Sequence, residues 1–70
     1  MTVEYYPETD TLYIALREGP SADAAEVAPD VVLDVDAAGG VIGITVEHAS
    51  ERADLRSFSV TQIPVLARAA

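Results

Sequence analysis

Apolar and polar residues alternate with a period of two along most of the chain, a pattern that predicts strands rather than helices. The first pair of segments, "TVEYY" and "TLYIAL", flanks "PETD". β-Branched and aromatic residues suit a pleated, half-buried surface, and proline with aspartate marks the turn between them. Parity then sets the pairing. With Tyr6 opposite Thr11 across the loop 7–10, Tyr5 faces Leu12 and Val3 faces Ile14, so their apolar side chains share one face. Tyr6 and Tyr13 point to the other.

The second pair, "VVLDVD" and "VIGITVE", flanks "AAGG". Val31, Leu33 and Val35 alternate with Val32, Asp34 and Asp36. Ile42, Ile44 and Val46 alternate with Val41, Gly43, Thr45 and Glu47. Bringing both apolar triplets to one face puts Asp36 opposite Val41, Asp34 opposite Gly43 and Asp30 opposite Glu47. The loop is then Ala37 to Gly40, with the glycines supplying the positive-φ freedom that a two-residue Ala37-Ala38 turn would lack.

The remaining segments carry less signal. Gly19-Pro20 ends the second strand, and Ala25-Glu26-Val27 reads as a short third one. Ser50 is the expected N-cap of a short helix from Ser50 to Leu55, with Glu51 favourable in its first turn. "SFSVTQI", residues 57–63, reads as a further strand, followed by a helical turn opened by Pro64 and running through Ala69. A single helix from Thr61 onward is the alternative, and periodicity does not choose between them. The fold expected is α+β. A small, mainly antiparallel sheet is built from two β-hairpins, with a short helix after the second and a short C-terminal helical segment.

Composition adds three constraints. Seventy residues make one domain, 1–70. A chain of this size buries only about 60% of its unfolded surface, and without cysteine no disulfide or thiolate metal site staples it, so a homodimer is expected. Twelve acids against four bases, all arginine, give a net charge of −8. That field repels phosphate backbones, so no direct nucleic-acid binding is expected, and it suits a basic partner protein. No apolar run approaches the roughly 18–20 residues of a membrane span. The N-terminal residues lack the basic and apolar regions of a signal peptide, and a cytoplasmic location is expected.

At "EYYPETDTLYIAL" and "VVLDVDAAGGVIGITVEHAS" the chain resembles the small prokaryotic proteins grouped as domain of unknown function 2283. The residues that carry the resemblance are Tyr5, Pro7, Asp10, Leu12, Tyr13, Ile14, Asp34, Asp36, Gly39, Val41, Gly43, Ile44, Ala49 and Ser50, within roughly Val3 to Arg52. The resemblance implies a compact α+β domain dominated by antiparallel sheet, no assigned reaction, and a role beside a small toxin-like partner. This chain departs from the pattern at Tyr6 and Thr45, where such proteins often carry acids. Two candidate acidic ligands are therefore missing, which weakens the case for acid or metal chemistry shared with the family.

Candidate chemistry concentrates in residues 34–50. Asp34 and Asp36 share a face, about 7 Å apart along a strand. A hard cation wants six to eight converging oxygens, roughly, and a flat strand presents few, so a solvated outer face is the simpler reading. His48 is the single histidine, too little for a zinc site. In a strand Glu47 and His48 point to opposite faces. Ser50, Ser57 and Ser59 lack a nucleophile elbow, and "AAGGVIG" lacks the lysine and helix of a phosphate loop. No catalytic residue, metal or cofactor is assigned, and no enzyme activity is expected. Tyr6 and Tyr13, beside Ala15 and Val32, suit either an aromatic contact patch or ordinary cross-strand stabilisation.

The functional expectation is an acidic, non-enzymatic, homodimeric protein-interaction domain, antitoxin-like or regulatory, that engages a basic partner. Its candidate contact residues are Tyr6, Tyr13, Asp34, Asp36, Gly43, Glu47 and His48. The alternative is a small-ligand or divalent-cation module that uses the Asp34/Asp36 face with Glu47 or His48.

Overall fold

A computed structural model describes residues 1–62 and Pro64. Five strands form one antiparallel sheet: β1 (Thr2–Tyr6), β2 (Thr11–Ala15), β3 (Asp23–Ala28), β4 (Val31–Val35) and β5 (Val41–Val46). Their order is β1-β2-β5-β4-β3, and the one helix among the described residues is α1 (Ala49–Arg52). The fold is a small, sheet-dominated α+β fold.

A description as two hairpins is incomplete. β3 is a full strand of six residues, and it forms a third hairpin with β4. Three alanines, an aspartate and a glutamate give "DAAEVA" little intrinsic strand preference, so Ala25–Val27 alone stood out in the sequence. The strand exists because β4 offers a free edge, and pairing overrides propensity.

The register sorts side chains into continuous rows. One face carries Ala25–Leu33–Ile44–Ile14–Val3 and, beside it, Ala28–Val31–Val46–Leu12–Tyr5, each row crossing all five strands. No residue of either row is charged. The opposite face carries Glu26–Val32–Thr45–Tyr13–Glu4 and Ala24–Asp34–Gly43–Ala15–Thr2. The first face is called inner and the second outer below.

The β4–β5 turn differs from the expected one. Asp34 does pair with Gly43, but Val35 pairs with Val41, and Ile42 is the extra residue of a β-bulge. Asp36 therefore faces Gly40, not Val41: its N–H donates to the Gly40 carbonyl at 2.8 Å. The loop shortens to Ala37–Gly39, with Gly39 at φ 88°. A three-residue hairpin loop whose last residue takes positive φ is a favoured closure, and only glycine occupies that position without strain.

The segment after β5 departs most from expectation. The helix starts one residue earlier and stops at Arg52, and its N-cap is His48 at φ 52°, not Ser50. Residues 57–62 form no strand. Alternation alone supplies no hydrogen-bonding partner, and Phe58 and Val60 stay 74% and 59% exposed. Thr61 and Gln62 are not helical, and the expected turn from Pro64 through Ala69 lies, beyond Pro64, outside the described residues.

Packing is thin. Among the described residues, Ile42 and Ala49 are the buried hydrophobic ones, and no residue of β4, an interior strand, is buried. The accessible surface is 5419 Å². A compact chain of this mass exposes about 4,200 Å².

Candidate functional site

Two groups of side chains stand out, one on the outer face and one at the helix start. On the outer face the row Glu26–Val32–Thr45–Tyr13–Glu4 begins and ends on a carboxylate. Tyr6, on the same face of β1, donates from its hydroxyl to Glu4 at 3.2 Å. That hydrogen bond to an anion, and then the Glu4 charge, raise the Tyr6 phenol above its ordinary range.

Tyr13 leans across β5. A Cβ built on Gly43 would meet the Tyr13 ring at 3.0 and 3.2 Å and its hydroxyl more closely still. Beyond Gly43 the hydroxyl reaches Asp34 Oδ2 at 3.5 Å, on the next strand. Three strands are thus bridged by one side chain, and only a residue without Cβ at 43 leaves room for it. Tyr13 fills the space over Gly43 on the acidic face, so Gly43 offers no open docking position.

Asp36 has a different task. Its carboxylate accepts the N–H groups of Ala38 and Gly40 at 3.0 and 2.8 Å and pairs with Arg17 at 2.5 Å. The Arg17 guanidinium first, then the Gly40 amide, hold this carboxyl below its usual range. Asp36 closes the turn and ties β2's continuation to it. Asp34 and Asp36 are therefore not a paired strip poised for a cation, because one of them is consumed locally. Among the described residues, no group of three or more His, Cys, Asp or Glu side chains gathers as a metal would require.

The second group was not legible from the sequence. Asp10 and Asp30 each end a hairpin turn, both in the left-handed region, at φ 54° and 65°. Aspartate tolerates that conformation better than most residues. Each turn holds the chain at the helix start by both its backbone and its side chain. The Asp10 carbonyl accepts the Ala49 N–H at 2.8 Å, and its carboxylate accepts the Ser50 N–H at 3.1 Å and the Ser50 hydroxyl at 2.7 Å. The Asp30 carbonyl accepts the Glu47 N–H at 2.8 Å, while its carboxylate pairs with Arg52 at 3.0 Å and with His48 Nδ1 at 3.2 Å. Ser50 is thus not the cap; Asp10, forty residues away, satisfies the helix-start donors instead.

The electrostatics follow from these contacts. The Ser50 hydroxyl, then the Tyr5 hydroxyl, lower Asp10, and the Asp10 hydrogen bond raises Tyr5. Arg52 and then His48 lower Asp30. The Asp30 hydrogen bond and charge raise His48, with smaller contributions from Glu51 and Glu47. An aspartate orienting a histidine is one part of a nucleophilic site, but the nearby Ser50 hydroxyl donates to Asp10, not to His48. The chemistry present is a clamp of ion pairs and hydrogen bonds around a one-turn helix.

The expected site residues therefore separate. Tyr6, Tyr13, Asp34 and Gly43 come together on the outer face, Asp36 belongs to a turn, and Glu47 and His48 sit at the clamp. The arginines divide just as clearly: Arg17, Arg52 and Arg56 each pair with an aspartate, Asp36, Asp30 and Asp54. Among the described residues, none pairs with Glu4, Glu26 or Asp34. No helix of the described residues is long and apolar enough to cross a membrane.

No curated protein and no solved structure matches the chain. Residues 2–50 match the family described as Protein of unknown function (DUF2283). That span takes in all five strands and both clamp aspartates, Asp10 and Asp30, ending on the Ser50 that Asp10 holds. The chain belongs to the DUF2283 family.

Proposed function

We propose that this chain is a non-enzymatic, cytoplasmic protein-interaction domain that works as a homodimer and binds a basic partner protein through its outer sheet face. The observation that carries this reading is the charge arrangement there. Tyr6 and Tyr13 stand among Glu4, Glu26 and Asp34, while the arginines of the described residues pair with aspartates elsewhere. Arginine or lysine side chains of a partner would find carboxylates to pair with and aromatic faces to stack on. Tyrosines on a sheet are rigid and bring large contact area at low entropy cost. An antitoxin-like or regulatory role toward a small basic protein fits this surface.

Titration calorimetry against the purified basic product of an adjacent gene tests the reading. Binding that weakens steeply with salt, and weakens further in Glu4→Lys and Tyr6→Ala, supports it. Binding insensitive to both salt and these two changes would count against the outer face.

A further inference from the structure

We propose that the inner face of the sheet seats a second copy of this chain, two sheets packing face to face as a two-layer sandwich. The proposal rests on the homodimer reading above and names its surface.

A sheet with one apolar face must bury that face against a second layer. Here the apolar rows run the full width of the sheet, yet the second layer formed by the described residues covers only part of it. The segment after α1 lies over β1 and β2, where Ala53, Leu55 and Phe58 bound a groove of about 540 Å³ with Val3, Leu12 and Ile14. Over β4 and β3, Leu33 and Val31 remain half-buried on an interior strand, and Ala25 is exposed beside them.

Charge identifies the occupant. A basic partner placed on the inner rows would leave its cations without carboxylates, in contact with leucine, isoleucine and valine, which is costly. A second copy presents the same uncharged rows. Two chains of net charge −8 approach with least repulsion along these uncharged rows, with Asp23 at the β3 edge and Asp54 at the groove rim the acids on that side, and in a face-to-face sandwich the outer-face carboxylates of both remain in water. Sheets so stacked lie about 10 Å apart, with their inner side chains interdigitated. The contact is isologous and closes on itself, leaving both outer faces free for partners.

The adjacent residues Ala24 and Ala25 provide the test, because both are exposed on β3 and they point to opposite faces. Ala25→Lys puts an ammonium in the sandwich, while Ala24→Lys makes the same charge change on the outer face. Sedimentation velocity on the full chain is expected to give a dimer that Ala25→Lys weakens about ten-fold or more, with Ala24→Lys within about two-fold of the parent. Circular dichroism checks that both variants stay folded. Isotope-filtered NOEs in a mixed labelled and unlabelled sample are expected between the Leu33 and Ile44 methyls of different copies. A dimer with cross-copy NOEs only at a sheet edge or on the outer face would overturn this surface while sparing the homodimer reading. A monomer at about 200 µM would overturn both, including the case in which the chain's own C-terminal residues cover Leu33.

Discussion

Tyr13 lies over Gly43, its ring filling the space where any other residue would place a Cβ. The contact ties β2, β5 and β4 together on the outer face and fixes one of the two tyrosines of the proposed partner surface. Gly43→Ala should displace the ring and break its contact with Asp34. The expected cost is about 1 kcal/mol, at the low end for overpacking because the phenol can swing toward solvent. Gly43→Ala combined with Tyr13→Ala should cost less than the sum of the two alone, measured by urea denaturation as a double-mutant cycle.

Ile42 should be the costliest strand residue to truncate. It is only 4% exposed, although it is the extra residue of a bulge. Ile42→Ala should destabilise the chain by about 2–4 kcal/mol, against a smaller loss for the half-buried Val31→Ala, by the same denaturation measurement.

Asp10→Asn isolates the clamp, because asparagine accepts the left-handed backbone that the turn requires. The loss of the carboxylate should release the helix start, seen as faster amide exchange at Ala49 and Ser50 while β2 and β5 keep their protection. It should also let the Tyr5 phenol fall back toward its ordinary value, since the Asp10 hydrogen bond is what raises it. An NMR titration of the Tyr5 ring reads this directly.

The His48–Asp30 pair predicts a pH dependence of definite sign. His48 is raised in the folded state, so its contribution is complete below about pH 6.5, the unfolded value, and is lost as pH rises through the folded pKa above it. Asp30, Asp10 and Asp36 are lowered, so theirs is present above about pH 4 and is lost as pH falls through their folded values. Melting temperatures from pH 5 to 9 should show a decline in the parent that His48→Asn lacks. Asparagine preserves the φ of 52° at this position, so the comparison removes the titrating group and not the backbone conformation.

Much of the sheet was legible because parity is a strong constraint when one face is apolar. A one-residue slip of Tyr5 against Leu12, or of Leu33 against Ile44, would turn a core side chain into water. Three features escaped that logic. The bulge at Ile42 adds a residue without changing the hydrophobic pattern, so Asp36 was placed opposite the wrong partner. β3 is alanine-rich, and its signal lies in β4's open edge, not in its own residues. The clamp joins Asp10 to Ser50 and Asp30 to His48 through tertiary contacts that no local pattern encodes. Its one local trace is an aspartate as the last residue of each turn, directly before a strand. On the outer face, parity brought Tyr6 and Tyr13 together, but the packing of Tyr13 over Gly43 was hidden, because a ring reaching diagonally across a strand is invisible to pairing rules.

The central claim is that the outer face is the recognition surface. Amide and methyl shift mapping of the full chain, titrated with the purified basic product of an adjacent gene, tests it most directly. Saturable changes at Tyr6, Tyr13, Asp34 and Thr45, with the Leu33 and Ile44 methyls unmoved, are the predicted result. The absence of any saturable change, or changes confined to Leu33, Ile44 and the inner face, would contradict it.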